Sequence, residues 1–163
     1  MPLTRRTFPI PAWTQPIVPF FKFTIMDQTP VSKRILVIDD NNEAADIMAE
    51  LLELHGYTTA VAYAGMSGLE AARNFAPHAI LMDLGMPGMD GYQVAAALRA
   101  LPDFDHVALV AFTAWGDLQT RQRVVSTGFD DHVVKPASLG KILAALTQSL
   151  ARREQAVIAS NAG

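Results

Sequence analysis

The segment RILVIDDNNEAADIMAELLELHG, residues 34–56, contains a short apolar run, two aspartates and then a helical pattern. The run from Arg34 to Ile38 is rich in β-branched and aliphatic residues, which is typical of a strand buried on both faces. In the residues that follow, an asparagine is available to cap a helix and Gly56 to end it. The segment therefore predicts one strand and one amphipathic helix, whose apolar residues at helical spacing are Ala44, Ile47, Leu51 and Leu54.

The same alternation recurs four more times along the chain. The strand-like runs are TTAVAY (58–63), AILMD (79–83), VALVAF (107–112) and DHVVK (131–135). The helix-like runs that follow them are MSGLEAARNF (66–75), GYQVAAALRAL (91–101), DLQTRQRVVSTG (117–128) and SLGKILAALTQSL (138–150). Alternating strands and helices with short connections require parallel strands and right-handed crossovers. We predict an α/β fold with a doubly wound, five-stranded parallel sheet, covered by helices on both faces, in the strand order 2-1-3-4-5.

Length and composition narrow the possible classes of protein. A chain of 163 residues suffices for one buried core, and a net charge of −3 argues against a nucleic-acid-binding role. The chain has no cysteines, which excludes disulfides, thiolate metal sites and a cysteine nucleophile. The sequence contains no apolar run of 18 residues, the length that a membrane-spanning helix needs. We expect an irregular, proline-rich extension over residues 1–32, one domain over 33–152 and a short C-terminal tail over 153–163.

The first thirty residues hold six of the ten prolines, which interrupt helices and central strands. The same prolines divide the apolar stretch that a secretory signal would need. Phe20, Phe21 and Phe23 are candidates for a docking segment, although a poorly ordered extension is the simpler interpretation. Met26 is a second candidate start, because a short polar lead into the first strand follows it.

Polar side chains end four of the five predicted strands. Asp39 and Asp40 follow the first strand, Asp83 ends the third, Thr113 the fourth and Lys135 the fifth. In doubly wound sheets, sites form beyond the carboxyl ends of the strands. Each residue alone also fits an ordinary turn position, but we expect the five side chains to converge on one edge of the sheet.

Three carboxylates at one edge repel one another unless a cation compensates them. The four histidines are scattered, which argues against zinc, and an oxygen-only ligand set suits Mg²⁺, which shares its shell with phosphate groups. Lys135 and Thr113 supply donors for phosphoryl oxygens, and an aspartate such as Asp83 is a possible nucleophile that forms an aspartyl phosphate. The pattern indicates a phosphoryl-transfer site.

The motifs VIDDNN, LMDLGMPGMDGY, AFTAWG and HVVKPAS together resemble the receiver domains of two-component response regulators, from about Arg34 to Arg152. The resemblance implies a flavodoxin-like fold with Asp83 as phosphoacceptor. It implies that Asp39, Asp40, Asp83 and the backbone carbonyl of Gly85 hold Mg²⁺. Thr113 and Lys135 match the hydroxyl and the amine of the family's site.

Further roles come from the same resemblance. The Lys135–Pro136 bond should be cis, Asp90 and Gly91 should cap the third helix, and Thr113 should move toward the phosphoryl group when Asp83 is phosphorylated. At the position of the aromatic switch residue this chain has His132, which is planar but titratable near neutral pH. Gly85 should leave open space near the acceptor, and the bulky Trp115 should lie near the phosphoryl group or at the exposed start of the fourth helix. These two residues should tune the lifetime of the phosphorylated form.

The resemblance also implies partners. A histidine kinase or a histidine phosphotransfer protein would donate the phosphoryl group in the cytoplasm. The domain would catalyse only its own phosphorylation and dephosphorylation, and would act as a stand-alone receiver, a relay or a phosphate sink. A protein target, not yet identified, would bind the face formed by helix 4, strand 5 and helix 5, with residues Gln119, Arg121, Gln122, His132 and Lys141.

Three alternatives remain. A haloacid-dehalogenase-like phosphatase needs a second aspartate two residues after the nucleophile, where Gly85 stands. A nucleotide-binding domain needs a glycine-rich loop after the first strand, where DDNNEA stands. A receiver-like module that binds partners without phosphorylation is the serious alternative, and an intact set of five site residues argues against it.

Overall fold

The computed structural model describes residues 32–162. The predictions for the N-terminal extension, including the start at Met26, concern residues outside this range. The strands are β1 (Arg34–Ile38), β2 (Thr58–Ala62), β3 (Ala79–Met82), β4 (Ala108–Thr113) and β5 (Asp131–Val134). The helices are α1 (Asn42–Leu54), α2 (Gly65–Phe75), α3 (Gly91–Arg99), α4 (Leu118–Thr127) and α5 (Leu139–Asn161). None of the described helices is both long and apolar enough to cross a membrane.

The five strands form one parallel sheet in the order β2-β1-β3-β4-β5, as the sequence predicts. Buried side chains cover both faces of the sheet. One face packs Ile38, Met82 and Leu109 against α2, α3 and α4, and the other packs Val37 and Leu81 against α1 and α5. The central strands β1, β3 and β4 are therefore apolar except at their ends, where Arg34 begins β1 and Thr113 ends β4.

The buried face of α1 differs from the prediction. Ala45, Ala49 and Leu52 face the sheet, whereas Ile47 and Leu54 are exposed. Both sets of residues fit a helical period, because α1 contains more apolar residues than one stripe requires. The rotation of the helix on the sheet decides between them, and the predicted face was wrong.

Side-chain caps set the starts of several helices. Asn41 accepts a hydrogen bond from the Ala44 backbone N–H at the start of α1, and Asp117 accepts one from Thr120 at the start of α4. Asp90 begins α3 in a capping box with Gln93, while Gly91 is the first helical residue. These bonds satisfy backbone N–H groups that have no partner inside the helix.

The last helix is longer than the sequence pattern suggests. α5 continues past residue 152 to Asn161, so most of the expected C-terminal tail is helical. Arg153, within this continuation, donates to Asp130 at 2.8 Å and to the backbone carbonyl of Asp105 at 2.9 Å. These contacts join the continued helix to the loops at the amino ends of β4 and β5.

Candidate functional site

The strand register brings two of the predicted carboxylates together. Ile38 of β1 pairs with Met82 of β3, so Asp39 and Asp83 are the next residues on adjacent parallel strands. Asp40 follows Asp39 at the same edge. One oxygen from each of the three carboxylates lies within 4.8 Å of the other two, and Asp39 is buried while Asp40 is exposed. Among the described residues no other group of three acidic, histidine or cysteine side chains has this spacing.

Lys135 partly compensates this negative charge. It follows β5, and its Nζ lies 2.7 Å from Asp39 Oδ2 and 3.7 Å from Asp83 Oδ1. The amine also lies 4.9 Å from the centroid of the Phe112 ring. The Lys135–Pro136 bond is cis, as the resemblance implied. One cation faces three carboxylates here, so the cluster has room for further positive charge.

The environment of Asp83 opposes its ionisation. Burial raises the pKa of this carboxyl above its ordinary value, and the nearby Asp39 charge raises that pKa further. Lys135 lowers the pKa, and so do hydrogen bonds from the backbone N–H groups of Gly85 and Leu84. The Leu84 N–H donates to Asp83 Oδ1 at 2.9 Å. A divalent cation would reverse this balance, because it favours the charged carboxylate.

The donor set fits magnesium. It consists of oxygens only, and three carboxylates at close spacing are too few and too open for a closed protein cage. Mg²⁺ prefers this kind of site, because it keeps several waters and shares its shell with phosphate oxygens. Zinc would favour nitrogen and sulfur ligands, which this cluster does not offer.

Thr113 lies beside this cluster, at the end of β4. It is almost fully buried, and its hydroxyl accepts a long hydrogen bond of 3.4 Å from the Trp115 backbone N–H. The Lys135 backbone N–H donates to the Thr113 carbonyl at 2.8 Å, which continues the β4–β5 pairing up to the site. The register therefore places the hydroxyl and the amine at the same edge as the carboxylates.

Trp115 covers Gly85, which corrects the expectation of open space at that glycine. A Cβ at position 85 would lie 2.9 Å from Cη2 of the indole. The ring remains half exposed, so it forms one wall of an open depression of about 580 Å³ beside the carboxylates. A side chain at position 85 would force the half-exposed indole ring to shift, so this close approach favours glycine there.

The same depression contains a residue that the sequence does not single out. Arg123 of α4 lines it, with its guanidinium 3.8 Å from the centroid of the Tyr92 ring and 3.9 Å from Asp90 Oδ2. Nothing in the helical pattern of α4 distinguishes Arg123 from Arg121. Only the packing of α4 against α3 brings this guanidinium to the site.

His132 of β5 is partly exposed and has a defined partner. Its Nε2 donates to the Trp115 carbonyl at 2.9 Å, so β5 contacts the loop that carries Trp115. On the neighbouring surface a depression is lined by His132, Arg121 and Lys141, three of the five residues predicted for the partner-binding face. The structure does not bring Gln119 and Gln122 into the lining of this depression.

The chain is similar to known proteins in both sequence and fold. Residues 35–147 match the model of the response regulator receiver domain family. The chain is 32% identical over 136 residues to the transcriptional regulatory protein PrrA of Mycobacterium bovis, covering 83% of this chain and 58% of PrrA. It is 35% identical over 122 residues to the DNA-binding response regulator MtrA of Mycolicibacterium smegmatis, covering 75% of this chain and 52% of MtrA. The chain thus spans little more than half the length of these relatives.

Solved structures share the fold. The CheY-like receiver domain protein of Methanospirillum hungatei JF-1 superposes with a TM-score of 0.70 at 24% identity, covering 76% of this chain and 98% of that one. The putative response regulator of Chloroflexus aurantiacus J-10-fl gives a TM-score of 0.70 at 25% identity, covering 74% of this chain and 98% of that one. With the family match over most of the described residues and the acidic edge in place, this chain belongs to the response regulator receiver domains of two-component systems.

Proposed function

We propose that Asp83 accepts a phosphoryl group from a phosphohistidine, with Mg²⁺ bound by Asp39, Asp40 and Asp83. The observation that carries this proposal is the cluster of three carboxylate oxygens within 4.8 Å, with the Lys135 amine 2.7 Å from Asp39. The backbone carbonyl of Gly85 is the further protein ligand that the family resemblance implies. The donor would be a histidine kinase or a histidine phosphotransfer protein.

In the transfer, a carboxylate oxygen of Asp83 attacks phosphorus and forms an acyl phosphate, while the nitrogen–phosphorus bond of the donor breaks. The leaving imidazole takes the electron pair of that bond and a proton from solvent. Bound Mg²⁺ would neutralise charge on the phosphoryl oxygens. Lys135 is close enough to Asp83 to exchange its contact with the carboxylate for one with the transferred group.

Thr113 supplies the conformational response. Its hydroxyl holds the Trp115 backbone N–H only weakly, at 3.4 Å, so a charged phosphoryl oxygen would be the stronger partner. Turning the hydroxyl toward Asp83 releases that N–H and frees the loop that also contacts His132. We propose that this movement alters the surface of α4, β5 and α5, where a protein target binds.

The lifetime of the acyl phosphate depends on the access of water to Asp83. The Trp115 indole covers Gly85, two residues from the acceptor, and limits the approach from that side. The domain would catalyse its own dephosphorylation at a rate that this cover reduces. It would have no other substrate, and would function as a switch, a relay or a phosphate sink.

Intact mass spectrometry after incubation with Mg²⁺ and a small-molecule phosphodonor tests the proposal. We expect the wild type to gain one phosphoryl group and Asp83→Asn to gain none, because the amide is not a nucleophile. Omitting Mg²⁺ should abolish the gain in the wild type. Phosphorylation of Asp83→Asn to the same extent would contradict the assignment of the acceptor.

A thermal unfolding series with Mg²⁺ tests the metal site separately. Mg²⁺ should raise the Tm of the wild type, because a ligand that binds only the folded state stabilises it. At a hundredfold excess of Mg²⁺ over Kd, the free energy of unfolding should rise by about 2.7 kcal/mol. Asp39→Asn should lose most of this gain, whereas Asp103→Asn, at an exposed position outside the cluster, should retain it. Stabilisation by Mg²⁺ without phosphorylation would favour a receiver-like module that binds partners without the modification.

A further inference from the structure

The depression beside the carboxylate cluster is lined by charged, aromatic and apolar groups. Asp40 belongs to the cluster, and Gly85 lies two residues after the acceptor. The half-exposed indole of Trp115 and the guanidinium of Arg123 line it as well. Its volume of about 580 Å³ falls within the usual range of ligand sites. A molecule that delivers a phosphoryl group to Asp83 therefore meets this depression.

The guanidinium of Arg123 rests on a buried aromatic ring. It lies 3.8 Å from the centroid of Tyr92, a distance at which a cation is attracted to the face of the ring. The Tyr92 ring is itself held in place, because it packs edge-on against Phe129 with the two centroids 6.4 Å apart. A long side chain that would otherwise sample many rotamers is thereby preorganised for binding.

The hydrogen-bonding capacity of this guanidinium is largely unused within residues 32–162. The carboxylate oxygen in contact with it, Asp90 Oδ2, lies 3.9 Å away, which is too long for a hydrogen bond. Asp90 instead accepts a hydrogen bond from the Gln93 backbone N–H at the start of α3. By contrast, Arg153 donates to two oxygens at 2.8 Å and 2.9 Å. The planar fork of Arg123 is thus available to an anion from another molecule, and it matches the geometry of a carboxylate.

We propose that Arg123 binds a carboxylate of the phosphodonor, on a side chain next to the phosphohistidine, and thereby selects donors that are acidic at that place. This inference rests on the proposed function, because that function brings the donor to Asp83. The phosphoryl group itself would be compensated by Mg²⁺ and Lys135, which leaves Arg123 for a second anionic group. The exposed face of the Trp115 indole offers a flat surface against which the donor's imidazole ring packs.

The charges around the depression make this selection depend on one side chain. Arg123 is the one cation among the described residues that line the depression, whereas Asp40 and Asp90 are acidic. Like charges that face each other across an interface disfavour a partner. Without Arg123 the depression should therefore repel an acidic donor and favour a neutral one.

Phosphoryl transfer from two matched peptides tests the proposal. Each peptide contains one phosphohistidine, which is flanked by glutamates in one peptide and by glutamines in the other. Intact mass, with Mg²⁺ present, gives the rate of transfer to the full chain. The wild type should react about threefold to fivefold faster with the glutamate peptide, which is the size of effect that a partly exposed ion pair supplies. In Arg123→Gln the ratio of the two rates should fall to one or below.

Further measurements show whether recognition of charge carries the preference. Arg123→Lys should keep part of it, because lysine retains the charge but not the planar fork. Arg73→Gln removes the same charge from the last turn of α2, outside the depression, and should keep the full preference. Salt at about 1 M should bring the wild-type ratio toward one, since the Debye length then falls to about 3 Å. Each ratio compares one protein with itself, so a different folded fraction in a variant cancels.

Phosphoramidate, a donor without a carboxylate, separates failure of this inference from failure of the proposed function. A wild type that is phosphorylated by phosphoramidate but reacts equally with the two peptides would overturn the inference and leave the proposed function intact. Retention of the wild-type preference in Arg123→Gln would have the same meaning. A wild type that gains no phosphoryl group from phosphoramidate or from either peptide would overturn both.

Discussion

At the scale of single residues, close packing around the loop that follows Asp83 explains two glycines that phosphoryl-transfer chemistry alone does not explain. Gly85 lies under the Trp115 ring, and Gly91 lies against the backbone of the loop that follows Asp83. The backbone atoms around Gly91 leave no room for a side chain, whereas the half-exposed indole would have to shift to admit one at Gly85. Both glycines therefore allow close packing in the loop that follows Asp83.

Replacing Trp115 with alanine should accelerate loss of the phosphoryl group several-fold. The indole covers Gly85 beside the acceptor, and its removal gives water a wider approach to the acyl phosphate. The decay of phosphorylated protein, followed by intact mass after the phosphodonor is removed, measures this rate. Leu118→Ala removes another exposed apolar side chain near the start of α4 and should leave the decay unchanged. Equal decay in the wild type and Trp115→Ala would show that the ring does not shield the site.

Gly91→Ala should destabilise the domain by about 2 kcal/mol, since a new methyl group that meets rigid neighbours forces the structure to shift. A Cβ at this position would lie 2.4 Å from the Asp83 carbonyl oxygen and 2.9 Å from the Leu84 Cα. Urea unfolding measures the change in free energy. Gly140→Ala is the matched control in α5, where a Cβ has nothing within 4 Å, and it should be neutral or stabilising. A stable Gly91→Ala variant would mean that the loop adjusts more easily than its contacts suggest.

At the scale of the elements, a partly buried ion-pair network joins α3, α5 and the start of β5. Asp130 accepts hydrogen bonds from Arg99 at 3.1 Å, from Arg153 at 2.8 Å and from the Leu109 backbone N–H at 2.8 Å. Arg99 also donates to backbone carbonyls of Gly128, Phe104 and Val107. The network thus satisfies loop carbonyls at the end of α3 and connects them to the continuation of α5.

Asp130→Ala should lower the free energy of unfolding by about 3 kcal/mol, because it leaves the Arg99 guanidinium partly buried without a counter-ion. The Leu109 N–H would lose its acceptor as well. Urea unfolding again provides the measurement, with Asp103→Ala as a control at an exposed carboxylate nearby. A loss no larger than that of Asp103→Ala would indicate that water replaces the network at little cost.

At the scale of the whole molecule, the two edges of the sheet have different electrostatics. The carboxyl ends of the strands carry three clustered carboxylates. The amino ends of the strands carry the partly buried His78. Burial lowers the pKa of His78, and the charges of Arg34 and Lys33 lower it further. Protonation would also remove the hydrogen bond that His78 Nδ1 accepts from the Arg34 N–H. The folded state therefore binds a proton at His78 less readily than the unfolded chain does.

This difference makes stability dependent on pH. The pKa of His78 in the folded state lies below its ordinary value of 6.5. Neutral His78 therefore makes its full contribution to stability above pH 6.5, and this contribution is lost as the pH falls below 6.5. Free energies of unfolding measured at pH values from neutral down to mildly acidic should decline less in His78→Gln than in the wild type. Parallel profiles for the two proteins would show that His78 does not contribute to the pH dependence.

The local pattern was sufficient to predict the class of fold and the polar residues that lie together at one edge of the sheet. Buried strands, amphipathic helices and their connections are each visible within one short segment, and parallel strands bring their carboxyl ends to one edge. For this reason Asp39, Asp40, Asp83, Thr113 and Lys135 could be predicted as neighbours, and the structure places them together.

Tertiary packing decided the features that depend on residues far apart in the chain. The rotation of α1 selected Ala45, Ala49 and Leu52 as its buried face among several apolar residues at helical spacing. The packing of the loop after β4 against the loop after β3 placed the Trp115 ring on Gly85, and the packing of α4 against α3 placed Arg123 on Tyr92. A hydrophobic pattern reports which residues favour burial, whereas the relative positions of the helices determine which of them obtain it.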